Sequence, residues 1–273
     1  MKILELLERT TEYFTHQGVA SPRLQIELLL AHVLKLPRMQ LYLQFERLLT
    51  PAELDALRPL VKRRAAHEPL QYLTGSTAFH GLNLACKPGV LIPRPETEVL
   101  VDLVQTTLAN RPPGHLLDLG TGSGAIALAL AKALPDWTVS ATDISPEALD
   151  LARANQATDP DLSRVRFLLG ELLAGAAPDV LVSNPPYLTD AEMAALPPEV
   201  QKEPVTALHG GTDGLDVVRR ILAALPSSVK LVAFELGLHH TETVANLLAH
   251  TGFTTIRREK DLAGVERFIL AER

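Results

Sequence analysis

From Pro113 onward, short runs of strand-forming residues alternate with segments of helical periodicity, and that alternation leaves few folds open. His115–Leu119 reads as a strand, 125–134 as a helix, 138–142 as a strand and 146–154 as a helix. Further strands are expected over 165–169, 179–183, 230–235, 253–257 and 266–270. Strands separated by helices pair in parallel, because the crossover between parallel neighbours is long enough to hold a helix. The expected fold is therefore α/β, with a mostly parallel sheet covered on both faces.

The first 72 residues lack that alternation. Ile3, Leu6, Leu7 and Phe14 share one helical face, and Gly18 follows as a stop. Ser21-Pro22 reads as an N-cap with proline at the first helical position, followed by Leu24, Leu28 and the apolar run to Leu34. Thr50-Pro51-Ala52-Glu53 has the pattern of a capping box, and Leu54, Leu57, Leu60 and Val61 form the stripe behind it. Residues 1–72 are thus expected to form a small helical domain. Lys62-Arg63-Arg64 reads as a solvated helix face. Gly75, Gly81 and Gly89 punctuate 73–93, which reads as a hairpin linker, leaving 94–273 for the α/β domain. There, Glu96 and Glu98 open a helix that buries Val99, Leu100, Leu103 and Val104. The stretch 188–228 reads as a long irregular connection, of the kind that is functional or mobile.

Composition narrows the function. With 26 Lys and Arg against 32 Asp and Glu, the net charge is −6. Direct nucleic-acid binding is not expected from such a balance, since phosphate contacts need a basic surplus. Cys86 is the only cysteine, which fits a reducing compartment. Charges interrupt the first apolar stretch and no long apolar run follows, so no membrane partner and a cytoplasmic protein are expected. His239-His240 is the only histidine pair, and no set of residues has metal-ligand spacing.

Two motifs carry chemistry. The first is Asp118-Leu119-Gly120-Thr121-Gly122-Ser123-Gly124, a strand running into a glycine turn and then a helix. Such a turn lies at the carboxyl end of a strand, where open α/β sheets bind ligands. Asp143 ends the next strand, where a carboxylate can accept hydrogen bonds from both hydroxyls of a ribose. These features fit a dinucleotide or S-adenosylmethionine. Asp118 favours the second, because a carboxylate beside the turn would repel pyrophosphate yet can fix the loop or a methionine amino group.

The second motif is Asn184-Pro185-Pro186-Tyr187, directly after the strand 179–183. Asn184 offers a side-chain carbonyl. Pro185 has no N–H and presents only its backbone carbonyl, while the two prolines stiffen the turn. The result is a rigid pair of acceptors matched to a planar –NH₂ group, with the Tyr187 ring available to pack over it. An amide or nucleobase nitrogen is a poor nucleophile, since its lone pair is delocalised. Holding its two protons orients that lone pair and stabilises the positive charge that builds on nitrogen. An NAD-dependent dehydrogenase explains the glycine loop and Asp143 but leaves this motif without a use. A non-catalytic binding module would not need it either.

With Pro69-Leu70-Gln71-Tyr72-Leu73-Thr74-Gly75, the stretch 91–98 including Pro93-Arg94-Pro95-Glu96, Glu203-Pro204, Gly214-Leu215 and Glu235-Leu236-Gly237, the chain resembles the release-factor glutamine methyltransferases over nearly its whole length. The resemblance implies a class I methyltransferase fold, Rossmann-like, and S-adenosylmethionine as methyl donor. It implies methylation of the side-chain amide of the glutamine in the Gly-Gly-Gln loop of peptide chain release factors. It also implies that the N-terminal helices help hold the release factor. Asn184, Pro185, Pro186 and Tyr187 are then the catalytic and substrate-binding residues, with Arg94 also at the substrate. Asp118, Gly120, Thr121, Gly122, Ser123, Gly124, Asp143, Glu171, Leu172 and Asn184 would contact the cofactor. Glu171 stands where the family usually has aspartate, Leu172 where an aromatic often packs, His240 where glutamine is common and Glu266 where aspartate is common. Adenine methyltransferases of nucleic acid share the motif at Asn184, so N6-methylation of adenine is the alternative reading.

Overall fold

The N-terminal periodicities fold as helices: α1 (Ile3–His16), α2 (Pro22–Leu34), α3 (Arg38–Tyr42), α4 (Pro51–Ala65) and α5 (Leu70–Thr74). These come from a computed structural model, which describes residues 1–273. Ile3, Leu7, Phe14, Ile26, Leu29, Leu30 and Leu57 meet in one apolar core. Thr50 caps α4 reciprocally with Glu53, as its pattern predicts. Ser21 does not cap α2 with its side chain: its backbone is left-handed (φ 48°), whereas a capping serine normally sits in the extended region. Leu24 turns outward, and Ile26, Leu29 and Leu30 are the buried residues of α2.

Lys62 and Arg63 are exposed as expected of a solvated basic run, but Arg64 departs from it, since it is only 2% exposed. Its guanidinium donates to Gln25 Oε1 (2.9 Å) and the Glu68 carbonyl (3.1 Å), and pairs with Glu199. A buried arginine persists when its donors are satisfied in this way. The chain accordingly divides into Met1–Ser76 with Pro197–Lys202, and Thr77–Leu196 with Glu203–Arg273. This differs from the sequence-based boundaries at three places. A short segment far along the chain joins the helical unit, 73–76 joins it as well, and 77–93 belongs to the larger unit instead of forming a separate linker.

In the larger unit, strands β1 (Ser76–Phe79) and β2 (Leu82–Ala85) form a hairpin, followed by α6 (Pro95–Leu108). Then come β3 (His115–Leu119), α7 (Ala125–Ala133), β4 (Thr138–Asp143), α8 (Pro146–Gln156), β5 (Arg166–Leu169) and β6 (Val180–Ser183). The chain continues through α9 (Asp190–Ala194), α10 (Asp216–Ala224), β7 (Leu231–Glu235), α11 (Thr241–His250), β8 (Thr255–Lys260) and β9 (Glu266–Glu272). The seven strands of the main sheet lie in the order β5-β4-β3-β6-β7-β9-β8, with only β9 antiparallel to its neighbours. Strand pleating sends alternate residues to opposite faces. Leu231, Ala233, Phe268 and Leu270 join the core that holds α6 and α7, while Val232, Phe234, Ile269 and Ala271 join the one that holds α10 and α11.

The stretch 188–228 is not irregular throughout, since α9 and α10 lie within it. Val218, Ile221 and Leu222 have helical spacing and are buried. The glycine cluster before them and Pro226 after them hide that period in the sequence.

Candidate active site

From β3 the chain adds β4 and β5 to one side of the sheet and then β6 and β7 to the other, and ligands of open α/β sheets bind at such a switch in strand order. A cavity of about 230 Å³ lies there, lined by Gly120, Thr121, Gly122 and Ser123 after β3 and by Asp143, Ile144 and Ser145 around the end of β4. Gly170, Glu171 and Leu172 line it after β5, and Asn184, Pro185 and Pro186 after β6. Segments far apart in sequence meet there because every parallel strand of the group ends on the same side.

The glycine turn is held from two sides. Gly122 donates its N–H to Asp143 Oδ2 at 2.8 Å, and Ser145 donates its N–H to Oδ1 at 2.9 Å. Asp143 is therefore the anchor of the loop as well as a wall of the cavity. Helix α8 is capped by the Ser145 hydroxyl, which accepts from Ala148, and not by Asp143 itself. At Gly124 (φ 85°) a Cβ would lie 3.1 Å from Ala152 Cβ and 3.2 Å from Leu128 Cδ1, so α7 and α8 pack too closely there for a side chain.

Asp118 lies beneath the loop and is fully buried. Its Oδ2 accepts from the Thr121 hydroxyl (2.6 Å) and the Ala127 N–H (3.1 Å), while Oδ1 has no partner. Burial pushes this carboxyl up to about 7. Of the two roles its position allows, this geometry performs the fixing of the loop. Asp118 and Gly124 are not among the residues that line the cavity.

At the other end, Asn184 donates Nδ2 to the Thr97 hydroxyl at 3.2 Å, and Thr97 donates to Glu235 Oε2 at 2.6 Å. Pro185 is buried, and its carbonyl takes no main-chain hydrogen bond. Tyr187, expected to pack over the substrate group, is not among the residues that line the cavity; burial raises its phenol to about 12, so it stays protonated. The turn at 210–214 supports this segment from the rear. A Cβ on Gly210 would sit 2.6 Å from the Pro186 carbonyl oxygen, and one on Gly214 2.2 Å from that of Tyr187.

Arg94 lines the cavity and pairs with Glu203, which also accepts the Ile92 N–H at 3.0 Å. Glu171 Oε2 meets Arg220 at 2.9 Å, and both line the cavity. Thr142 donates its hydroxyl to the Leu172 carbonyl at 2.8 Å, which pins the loop after β5.

Sequence reasoning missed Thr97, Glu235, Phe79 and Val90. Phe79 and Val90 line the cavity from the hairpin side. Thr97 and Glu235 are buried polar residues on apolar faces, at 4% and 2% exposure. Both lie in stretches that carry the resemblance, 91–98 and Glu235-Leu236-Gly237, but only Glu235 interrupts an apolar run, and neither stretch by itself shows what its residue touches.

Glycine turn, strand-end carboxylate and acceptor pair around one cavity, on this strand order, define a class I S-adenosylmethionine-dependent methyltransferase. Comparison with known proteins makes this narrower. Residues 5–75 match the family described as PrmC N-terminal domain, and 95–212 match the methyltransferase small domain. A release factor glutamine methyltransferase of Geobacter sulfurreducens is 42% identical, over 98% of this chain and 95% of its own. One from Deinococcus radiodurans is 40% identical, over 100% and 99%. The chain belongs to the release factor glutamine methyltransferase family. Among solved structures, the catalytic domain of human METTL16 in complex with a MAT2A 3'UTR hairpin superposes with a TM-score of 0.60 at 17% identity, covering 71% of this chain and 76% of that one. The N-terminal domain of human METTL16 in complex with SAH gives 0.53 at 16% identity, over 71% and 76%. At these identities the likeness is one of fold.

Proposed function

We propose that this protein methylates the side-chain amide nitrogen of a glutamine in peptide chain release factors, the glutamine of their Gly-Gly-Gln loop. The observation that carries this reading is the acceptor pair at the end of β6. Asn184 and Pro185 both line the cavity, on a turn stiffened by two prolines, where the side-chain oxygen of one and the backbone carbonyl of the other are the acceptors such a turn can offer.

The cavity fits S-adenosylmethionine. Both arginines of its wall, Arg94 and Arg220, are already paired with carboxylates, and Asp143 adds a negative charge beside the glycine turn. That charge pattern disfavours a pyrophosphate and suits a cofactor with a ribose and no phosphate. Asp143 would hold the ribose, the backbone at 120–123 the chain between ribose and amino acid, and Ile144 with Leu172 the adenine. When bound, S-adenosylmethionine supplies a methyl group made electrophilic by a sulfonium.

The chain's own residues prepare the nucleophile. Asn184 and Pro185 each accept one N–H of the substrate amide, which turns the nitrogen lone pair toward the cofactor side of the cavity. As positive charge develops on that nitrogen, the two carbonyl dipoles are already aimed at it and need no reorganisation. The spent proton is acidic once nitrogen is alkylated, so no side chain has to act as a strong base.

We further propose that the helical unit contributes the contacts that recognise the release factor, and that the protein works in the cytoplasm. No helix is long and apolar enough to cross a membrane. Cys86 is buried, and burial raises its thiol to about 11, consistent with an inert thiol.

The test is transfer of label from S-adenosylmethionine to release factor, DNA and RNA in parallel, with the modified residue located by mass spectrometry. The expected outcome is label on the Gly-Gly-Gln glutamine alone. Asn184→Ala should lower the single-turnover rate by about 10²–10³ with little change in cofactor affinity. Label on adenine with an unmodified release factor would replace this reading by the nucleic-acid one.

A further inference from the structure

Which end of an asparagine amide is oxygen is decided by the groups around it. Around Asn184 those groups form a chain with one direction. Glu235 projects from the end of β7 and is buried. As a carboxylate it only accepts, and it takes the Thr97 hydroxyl proton at 2.6 Å. A hydroxyl has a single proton, so Thr97 can then only accept from Asn184. It does so from Nδ2 at 3.2 Å. With Nδ2 committed inward, Oδ1 is left for the cavity that Asn184 lines.

We infer that Glu235 and Thr97 are positioning residues for methyl transfer: through hydrogen bonds of fixed direction they hold the Asn184 amide with its oxygen toward the substrate. The inference rests on the function proposed above for Asn184.

Reversing one link shows why the carboxylate matters. A neutral acid or amide at 235 can donate to the Thr97 oxygen. The Thr97 hydroxyl is then free to donate to Asn184, which stabilises the flipped amide. A flipped Asn184 presents –NH₂ to a substrate –NH₂, two donors facing each other, and the acceptor pair is lost. Burial, the largest influence, raises the Glu235 carboxyl above its usual range, and Glu96 on α6 adds to that. The Thr97 hydrogen bond and Arg267 on β9 hold the rise back and favour the charged form. Arg267 is itself held by Asp261 at 2.8 Å, so the cation has a fixed place.

The experiment uses the full chain with Glu235→Gln, Thr97→Val and Thr97→Ser, each alone and combined with Asn184→Ala. Single-turnover methylation of release factor is measured at saturating S-adenosylmethionine, with cofactor affinity by calorimetry and melting temperature as controls. Glu235→Gln and Thr97→Val should each lower the rate about 10–100-fold, with KM for release factor and cofactor affinity within about twofold. Thr97→Ser keeps the hydroxyl and should recover most of what valine loses. In the Asn184→Ala background Glu235→Gln should cost less than about twofold, because coupled residues lose their effect when the partner is gone. Equal losses in both backgrounds would show that Glu235 acts on the fold and not through Asn184, and a wild-type rate for Glu235→Gln would end the inference outright. Hydrogen exchange of the Asn184 side-chain –NH₂, followed by NMR, reads the same network without substrate. Slow exchange in the wild type and at least about tenfold faster exchange in Thr97→Val are expected. Free-amide exchange in the wild type overturns the network, whereas intact protection in a protein that leaves release factors unmethylated overturns only the proposed function.

Discussion

Asp143 has two tasks in this structure, and they can be separated by measurement. Its oxygens accept the N–H of Gly122 at 2.8 Å and of Ser145 at 2.9 Å, and the same carboxylate faces the cavity where a ribose would lie. Asp143→Ala removes the loop anchor and the ribose acceptor together. A hydrogen bond to a charged group contributes about 1.5–3 kcal/mol, and partial exposure of Asp143 favours the low end. Two such losses that act on binding come to about 3 kcal/mol, or about 100-fold in Kd for S-adenosylmethionine. Asp143→Asn keeps one acceptor but sets its –NH₂ against one of the two backbone donors, so about 10-fold is expected. Calorimetry with S-adenosylmethionine gives these values. Repeating it with an analogue lacking one ribose hydroxyl divides them. The wild type should lose about 10-fold on that change and Asp143→Ala less than about 2-fold, since its acceptor is already gone. Equal losses in both proteins would mean that Asp143 acts only through the loop. Binding by Asp143→Ala within about twofold of wild type would refute both roles.

Three further outcomes follow from the geometry. Gly210→Ala places a Cβ 2.6 Å from the carbonyl oxygens of Pro186 and Gly214. The acceptor turn must shift, so turnover should fall at least about 10-fold while calorimetry shows cofactor affinity unchanged; full turnover would show that the turn tolerates displacement. Asp118 is protonated more readily when folded, because burial raises it from 3.8 to about 7. Its contribution to stability is therefore full below the unfolded value and is lost as pH rises toward 7. Denaturation of wild type and Asp118→Asn from pH 4 to 8 should show the wild type losing up to about 4 kcal/mol relative to the variant across that window, and parallel curves would contradict the assignment. Asn184→Asp keeps an acceptor, which by itself argues for milder damage than alanine. In the structure, however, the inner face of Asn184 donates to Thr97, whose own proton goes to Glu235, so aspartate sets a second carboxylate beside a buried one. Single-turnover rates at pH 8 should place aspartate at or below alanine, and a clearly faster aspartate enzyme would show that the inner bonds are dispensable.

The elements and residues legible in the sequence are those whose pattern is local. Strand runs such as His115–Leu119 and the capping box at Thr50 state their structure within a few residues, because pleat and cap geometry act over that range. The glycine turn and Asn184-Pro185-Pro186-Tyr187 are legible for the same reason: each lies in one short segment that leaves a strand. Helix α10 was masked by the glycines on one side and the proline on the other, although Val218, Ile221 and Leu222 keep its period. Arg64 departs from its pattern because a basic run normally faces water, and only the fold brings Gln25 and Glu199 within reach of it.

Thr97 and Glu235 show the limit most clearly. Thr97 lies on a helix in which it looks like one more residue of the first turn, and Glu235 ends a strand that is otherwise apolar. Neither has a partner in its own segment. Their meaning arises when the sheet order puts β6 beside β7 and α6 packs against β7, which brings Asn184, Thr97 and Glu235 into one hydrogen-bonded chain. A sequence pattern can therefore supply the group that meets the substrate, since it must stand at a strand end. The direction in which that group points is set by residues distant in sequence, and a buried carboxylate with a threonine between is enough to set it.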